Sequence, residues 1–224
     1  MNAHSNNAKT VFMLLAALAI VAVLPMYPDT PVEDYVRQLQ ASYKGVQSLK
    51  ADFTQSYEWG NRNREEKGSV IFARGGRMRW EYEKPQDKLF VSDGKHVILY
   101  VPEAKQMTRS SVKEAEDIRV PFRLLLSRLD LHKVFDKIEF ADDALEHDPA
   151  DHLLRGYPKH GDDSGIHEVL MEITPQFDIR QLEVVYADGS HMNFKFSGTE
   201  KNVNVSPSLF EFTPPEGTEI IDQK

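Results

Sequence analysis

The sequence predicts a mainly β fold of the α+β class: about ten antiparallel strands that curl toward a barrel, with two modest helices. Three observations carry this. Within Gly68–Pro102, Met78, Trp80 and Tyr82 point one way and Arg77, Arg79 and Glu81 the other, the two-residue period of a half-buried strand. Asp93-Gly94 sits between two apolar runs, the signature of a type I′ hairpin with positive φ, and Asp188-Gly189 predicts a second hairpin. Helical spacing, by contrast, shows in only two short stretches after the first thirty residues.

Element by element, the chain opens on Val11–Leu24, an unbroken apolar run behind His4 and Lys9. Its length of about 14 residues falls short of the roughly 20 that a spanning helix needs, and fits a secretory signal. The exit, Val23-Leu24-Pro25-Met26-Tyr27, has no clean pair of small residues for cleavage. Residues 1–28 therefore read as a signal peptide or an uncleaved N-terminal anchor, and residues 29–224 as the working domain.

A helix follows. Thr30 and Glu33 make a capping box, Pro31 suits the first helical position, and Gly45 can end it. Val32, Tyr35, Val36, Leu39 and Tyr43 form its apolar stripe. At Leu49 the period drops to two and a strand runs to Tyr57, after which Asn61–Lys67 reads as a polar connection. Strands are expected at Ser69–Ala73, Met78–Glu83, Lys88–Ser92, Lys95–Val101 and Gln106–Arg109. A second helix begins at Pro121 with Phe122, Leu125, Leu126 and Leu129 on one face. Strands resume at Lys137–Phe140, His152–Tyr157, His167–Thr174, Arg180–Tyr186 and His191–Ser197, with Phe210–Phe212 as a terminal edge strand.

The composition excludes several functions. The 224 residues carry a net charge of −8 and no cysteine. An acidic balance argues against nucleic acid, which needs clustered Lys and Arg. Without cysteine there is no disulfide framework, thiolate metal site or cysteine nucleophile. The nucleophile-elbow, phosphate-loop, dinucleotide and zinc-protease motifs are absent, so neither an enzyme nor a cofactor is expected. The one polar constellation, His147, Asp148, Asp151, His152, His160, Asp162, Asp163 and His167, matches no ligand spacing and reads as solvated loops and strand ends. Asp142-Asp143 and Glu114, Glu116 and Asp117 read as exposed surface.

Ten strands with one apolar face must bury that face or expose a sticky patch. Alternation would bring Phe72, Met78, Trp80, Phe90, Tyr100, Met171, Tyr186, Met192, Phe194 and Phe196 to that face. The pattern alone reads first as a plain core, and also suits a surface that repacks around variable apolar ligands.

Five segments then resemble one family in order: S-L-K-A-D-F-T-Q at Ser48–Gln55, R-M-R-W-E-Y-x-x-P at Arg77–Pro85, V-S-D-G-K at Val91–Lys95, P-F-x-L-L at Pro121–Leu125 and F-x-F-T-P-P-x-G at Phe210–Gly217. Together they resemble the outer-membrane lipoprotein carrier (LolA) family, over roughly Val32–Lys224. The resemblance implies an incomplete antiparallel β-barrel of about ten to eleven strands, with helices forming a lid over a hydrophobic cavity. It implies a monomeric periplasmic chaperone that takes the acyl chains of lipoproteins from an inner-membrane lipoprotein-releasing ABC transporter and passes them to an outer-membrane acceptor. The ten face residues would then line the cavity, Phe122, Leu125, Leu126 and Leu129 would belong to the lid, and Arg74 would be the latch that bonds the lid's carbonyls. Gly75 stands where the family often has proline, which implies a looser backbone beside the latch. The related acceptor is itself a lipoprotein anchored through cysteine, which this chain lacks. A generic periplasmic lipid-binding or envelope-sensing module on the same fold is the alternative reading.

Overall fold

Helix α1, Val32–Tyr43, buries the stripe expected of it: Tyr35, Val36, Leu39 and Tyr43 all face inward. The structure, a computed structural model, describes residues 31–112, 130–141, 144–145, 147–159 and 165–223. The N-terminal segment 1–28, Thr30, the helix expected from Pro121, and the acids at 114, 116, 117, 142 and 143 lie outside the described residues. Pro31 takes the cap position rather than the first helical one, and its carbonyl accepts from the amides of Asp34 and Tyr35.

Twelve strands follow in one sheet: β1 Ser48–Trp59, β2 Arg62–Ala73, β3 Arg77–Lys84, β4 Lys88–Asp93, β5 His96–Val101, β6 Gln106–Ser111, β7 Phe135–Phe140, β8 His152–Pro158, β9 Ile166–Ile173, β10 Ile179–Tyr186, β11 His191–Lys201 and β12 Glu219–Asp222. A single-turn helix α2, Leu131–Val134, precedes β7. Across the sheet the order is β12-β6-β5-β4-β3-β2-β1-β11-β10-β9-β8-β7, so the sheet is open, with β12 and β7 as its two edges. Every pairing is antiparallel except β12 with β6.

Three expectations are corrected. Asn61–Lys67 is not a connection: β2 begins at Arg62, after a turn at Gly60 with φ +57. Here β1 and β2 pair register by register out to Trp59 and Arg62, beyond the core, where both faces meet water and the alternation fades. Phe210–Phe212 is not a strand either. Pro207–Phe210 forms a 3₁₀ turn, and the terminal strand is β12, whose four residues are all exposed and so show no alternation. Finally, the two Asp-Gly hairpins form without type I′ geometry. Only the glycines take positive φ, +94 at Gly94 and +79 at Gly189, while Asp93 and Asp188 accept amide hydrogen bonds through their carboxylates instead.

Between β11 and β12 the chain crosses the outer face as a strap. Asn202 anchors its start by bonding both ways with Gln47 and Ser48. Phe210 is buried beneath the Arg77 guanidinium, and Arg79 donates to the Leu209 carbonyl.

Candidate functional site

The inner face is the one α1 covers. On its β7 side, one cross-strand row runs Phe140–Leu154–Met171–Leu182–Phe194. On its β12 side, another runs Val70–Trp80–Phe90–Leu99–Thr108–Ile221. Trp80 is fully buried at the meeting of these halves, with the rings of Phe53, Phe72, Phe194 and Phe196 at 4.7, 5.8, 5.6 and 6.3 Å. Val36 and Leu39 of α1 press onto the same cluster. Each fully buried side chain of this size contributes roughly 1.5–3 kcal/mol.

Nine of the ten face residues expected from alternation fall in or against this cluster: Phe72, Met78, Trp80, Phe90, Met171, Phe194 and Phe196 are buried in it, and Tyr186 and Met192 pack on its margin. Tyr100 does not. It pairs with Leu89 rather than Phe90, which turns it to the outer face, where its ring lies 5.0 Å from Phe212 of the strap. The residues expected in the lid, Phe122, Leu125, Leu126 and Leu129, lie outside the described residues. Two clefts lined by described residues, of about 720 and 230 Å³, both flank the strap on the outer face.

One end of the inner face is polar, and sequence reasoning missed it. The Tyr82 hydroxyl donates to Gln55 Oε1 at 2.9 Å. Beside it Glu66, only 5% exposed, accepts from Lys88 Nζ and an Arg64 Nη, each at 2.6 Å. Lys88 also sits 4.2 Å above the Tyr82 ring. Burial pushes the Tyr82 hydroxyl pKa upward, and the Glu66 charge adds to that. The signal was present in Arg64 and Glu66, which share a face two residues apart once β2 is extended to Arg62.

Arg74 follows β2 and reaches back to the end of α1. Its Nε donates to the Val46 carbonyl at 2.9 Å, an Nη to the Lys44 carbonyl, and its own amide to Gln47 O at 2.9 Å. Among the described residues, its acceptors lie at the exit of α1. Gly75 holds φ +84, which proline could not adopt, and its carbonyl oxygen lies against Gly94. At the same helix end, the Tyr43 hydroxyl accepts from the Ile179 amide at 3.3 Å, and burial pushes its pKa up to about 12.

The polar constellation is dispersed. His147 bonds the Leu145 carbonyl, His152 packs edge-on to Tyr35 and tilted against Phe140, and His167 is exposed beside Glu168. His160, Asp162 and Asp163 lie outside the described residues. Asp148 and Asp151 converge instead on Arg180, each 3.1 Å from Nη1, with Glu172 at 3.8 Å. Among the described residues, no group of three or more His, Asp and Glu is arranged to hold a metal ion.

Residues 44–213 match the model of the family described as outer membrane lipoprotein carrier protein LolA. The chain belongs to that family. Among curated LolA-family relatives, the outer-membrane lipoprotein carrier protein of Dechloromonas aromatica is 30% identical over 90% of this chain and 93% of its own. That of Bordetella avium is 29% identical over 93% and 97%. The fold is also that of an uncharacterized conserved protein from Thermus thermophilus, with a TM-score of 0.55 at 11% identity over 86% of this chain and 99% of that one.

Proposed function

We propose that the chain is a periplasmic chaperone. It takes the acyl chains of lipoproteins leaving the inner membrane onto the inner face of its sheet and delivers them to the outer membrane. The observation that carries this is the joining of a large aromatic face around Trp80 to a cover, α1, fastened at its end by hydrogen bonds from Arg74. An acyl chain in water costs about 0.8 kcal/mol per exposed CH₂, so a carrier must enclose it. A cover held by a few hydrogen bonds can open again for release. The nine inner-face residues are the acyl contacts in this reading. By family likeness, Phe122, Leu125, Leu126 and Leu129 complete the lid. An inner-membrane ABC transporter loads the monomer, and an outer-membrane acceptor unloads it.

The test is depletion in the native cell together with purification of the protein from it. Outer-membrane lipoproteins should accumulate at the inner membrane, and acylated lipoprotein should copurify in stoichiometric amount. Copurification of free lipid alone, with lipoprotein sorting intact, would overturn delivery and leave a lipid-binding or envelope-sensing module.

A further inference from the structure

The two halves of the inner face differ in how they end. Toward β7 the row closes: Leu154, Met171 and Leu182 are fully buried, and Phe140 is packed by Tyr35 of α1 at 5.4 Å. Toward β12 the row opens. Beyond Trp80, fully buried, and Phe90, at 6%, Leu99 and Ile221 are each 36% exposed, with Thr108 between them. The register makes these five one continuous line, because residues paired across strands share a face. From Trp80 to Ile221 there are four strand steps, roughly 19 Å at the usual strand spacing, a span of the order of an extended acyl chain.

The line is also fenced. Two residues away on one side the same face carries Ser92, Val97 and Ser110. Two residues away on the other it carries Lys88, Val101, Gln106 and Glu219, the last two hydrogen-bonded at 3.3 Å. An alkyl chain lying along Phe90, Leu99, Thr108 and Ile221 keeps its methylenes on largely apolar surface, and meets polar groups on β4, β6 and β12, though not on β5, if it strays sideways.

We propose that this line is the port of the carrier: an acyl chain enters and leaves along it, over the β12 edge, and reaches the Trp80 cluster from that side. Continuity with the buried face selects an alkyl chain as the occupant. The proposal rests on the acyl-binding reading above, and its failure can be told apart from that one.

The absence of native cysteine makes the test direct. In a Trp59→Phe background, which leaves Trp80 as the lone tryptophan, single cysteines replace Leu99, Ile221 or, as an outer-face control, Ile220. Each carries an environment-sensitive fluorophore, and the probe is a palmitoylated peptide, with sedimentation run alongside. The expected result is a blue shift at 99 and 221 with none at 220, a change in Trp80 emission, and a monomer throughout. Leu99→Asn should slow the Trp80 response by about tenfold, as for one polar group set in an apolar path. A Trp80 response with silent labels at 99 and 221 would overturn the port and leave acyl binding standing. Silence at every position would remove both. Equal shifts at 220 and 221 in a protein that sediments as a dimer would show that a second copy, not an acyl chain, covers this edge.

Discussion

Gly94 lies so close to Gly75 that a Cβ built on it would stand 2.1 Å from the Gly75 carbonyl oxygen. The turn that joins β4 to β5 is thereby stacked on the loop that joins β2 to β3 and carries Arg74. Ser92 stitches the two, donating to the Gly76 carbonyl at 2.9 Å and accepting from the Gly94 amide at 3.1 Å. The side chain that clasps α1 therefore stands on a buttressed base.

Gly94→Ala should cost more than its backbone conformation alone requires. At φ +94 an alanine loses roughly 1–2 kcal/mol, and the collision with a backbone oxygen adds to that. Gly189→Ala is the control, at φ +79 with open space around it, and should lose only the conformational part. Urea unfolding of both variants measures the difference, and equal losses would show that the stacked turns contribute nothing.

Arg74→Leu removes both side-chain bonds to the α1 exit. Hydrogen bonds from a charged group contribute about 1.5–3 kcal/mol each net, and the bond to Lys44 is exposed to water and counts for little, so a stability loss of about 2 kcal/mol is expected. It should be accompanied by faster amide exchange in the last turn of α1. Cargo should bind as well as to the parent but transfer poorly to the acceptor, since closing the cover no longer helps expel it. Arg74→Lys should fall between, because an ammonium lacks the planar fork that spans two carbonyls. Transfer by Arg74→Leu at the parental rate would exclude the latch role.

Trp80 and Phe194 were legible in the sequence because their strands alternate cleanly against charged neighbours. Tyr100 was not, because His96–Val101 is apolar at nearly every position and period two vanishes. Its face is decided by which β4 residue it opposes, and register is a property of two strands, not of one. The same holds for the port, which exists only through the pairing of Leu99 with Thr108 and of Thr108 with Ile221. The acceptors of Arg74 were equally hidden: its polar reach was readable, but not the return of α1 to the β2 end. Asn61–Lys67 was misread for a further reason, since a ribbon that leaves the core loses the burial that writes the pattern.

At the polar end of the inner face, Glu66 and Lys88 form a pair at 2.6 Å with little solvent access. Truncating one partner strands the other, so Glu66→Ala and Lys88→Ala should each lose about 3 kcal/mol. The double variant should lose less than the sum, with a coupling of about 1–3 kcal/mol in a double-mutant cycle. Additive losses would mean that Arg64 alone holds Glu66.

Asp151 should make stability depend on pH in the unusual direction. Its side chain is 1% exposed, and burial, reinforced by Glu172 beside it, pushes its pKa up to about 6 despite the attraction of Arg180. Asp148, by contrast, is held below the usual range by the Ala150 amide and Arg180. Because the folded pKa of Asp151 lies above the unfolded one, the folded protein binds more protons between about pH 4 and 6. Its contribution is therefore fully favourable below about pH 4, is lost as pH rises through 6, and becomes a cost of roughly 1–3 kcal/mol at pH 7. Asp151→Asn keeps the shape without the charge, while Arg180 keeps Asp148 and Glu172 as partners. The stability difference, variant minus parent, should be near zero at pH 4, grow across pH 4–6 and stay positive and level above pH 7. Chemical denaturation at half-unit steps reads it directly, and a difference that does not change with pH would show that Asp151 stays ionised throughout.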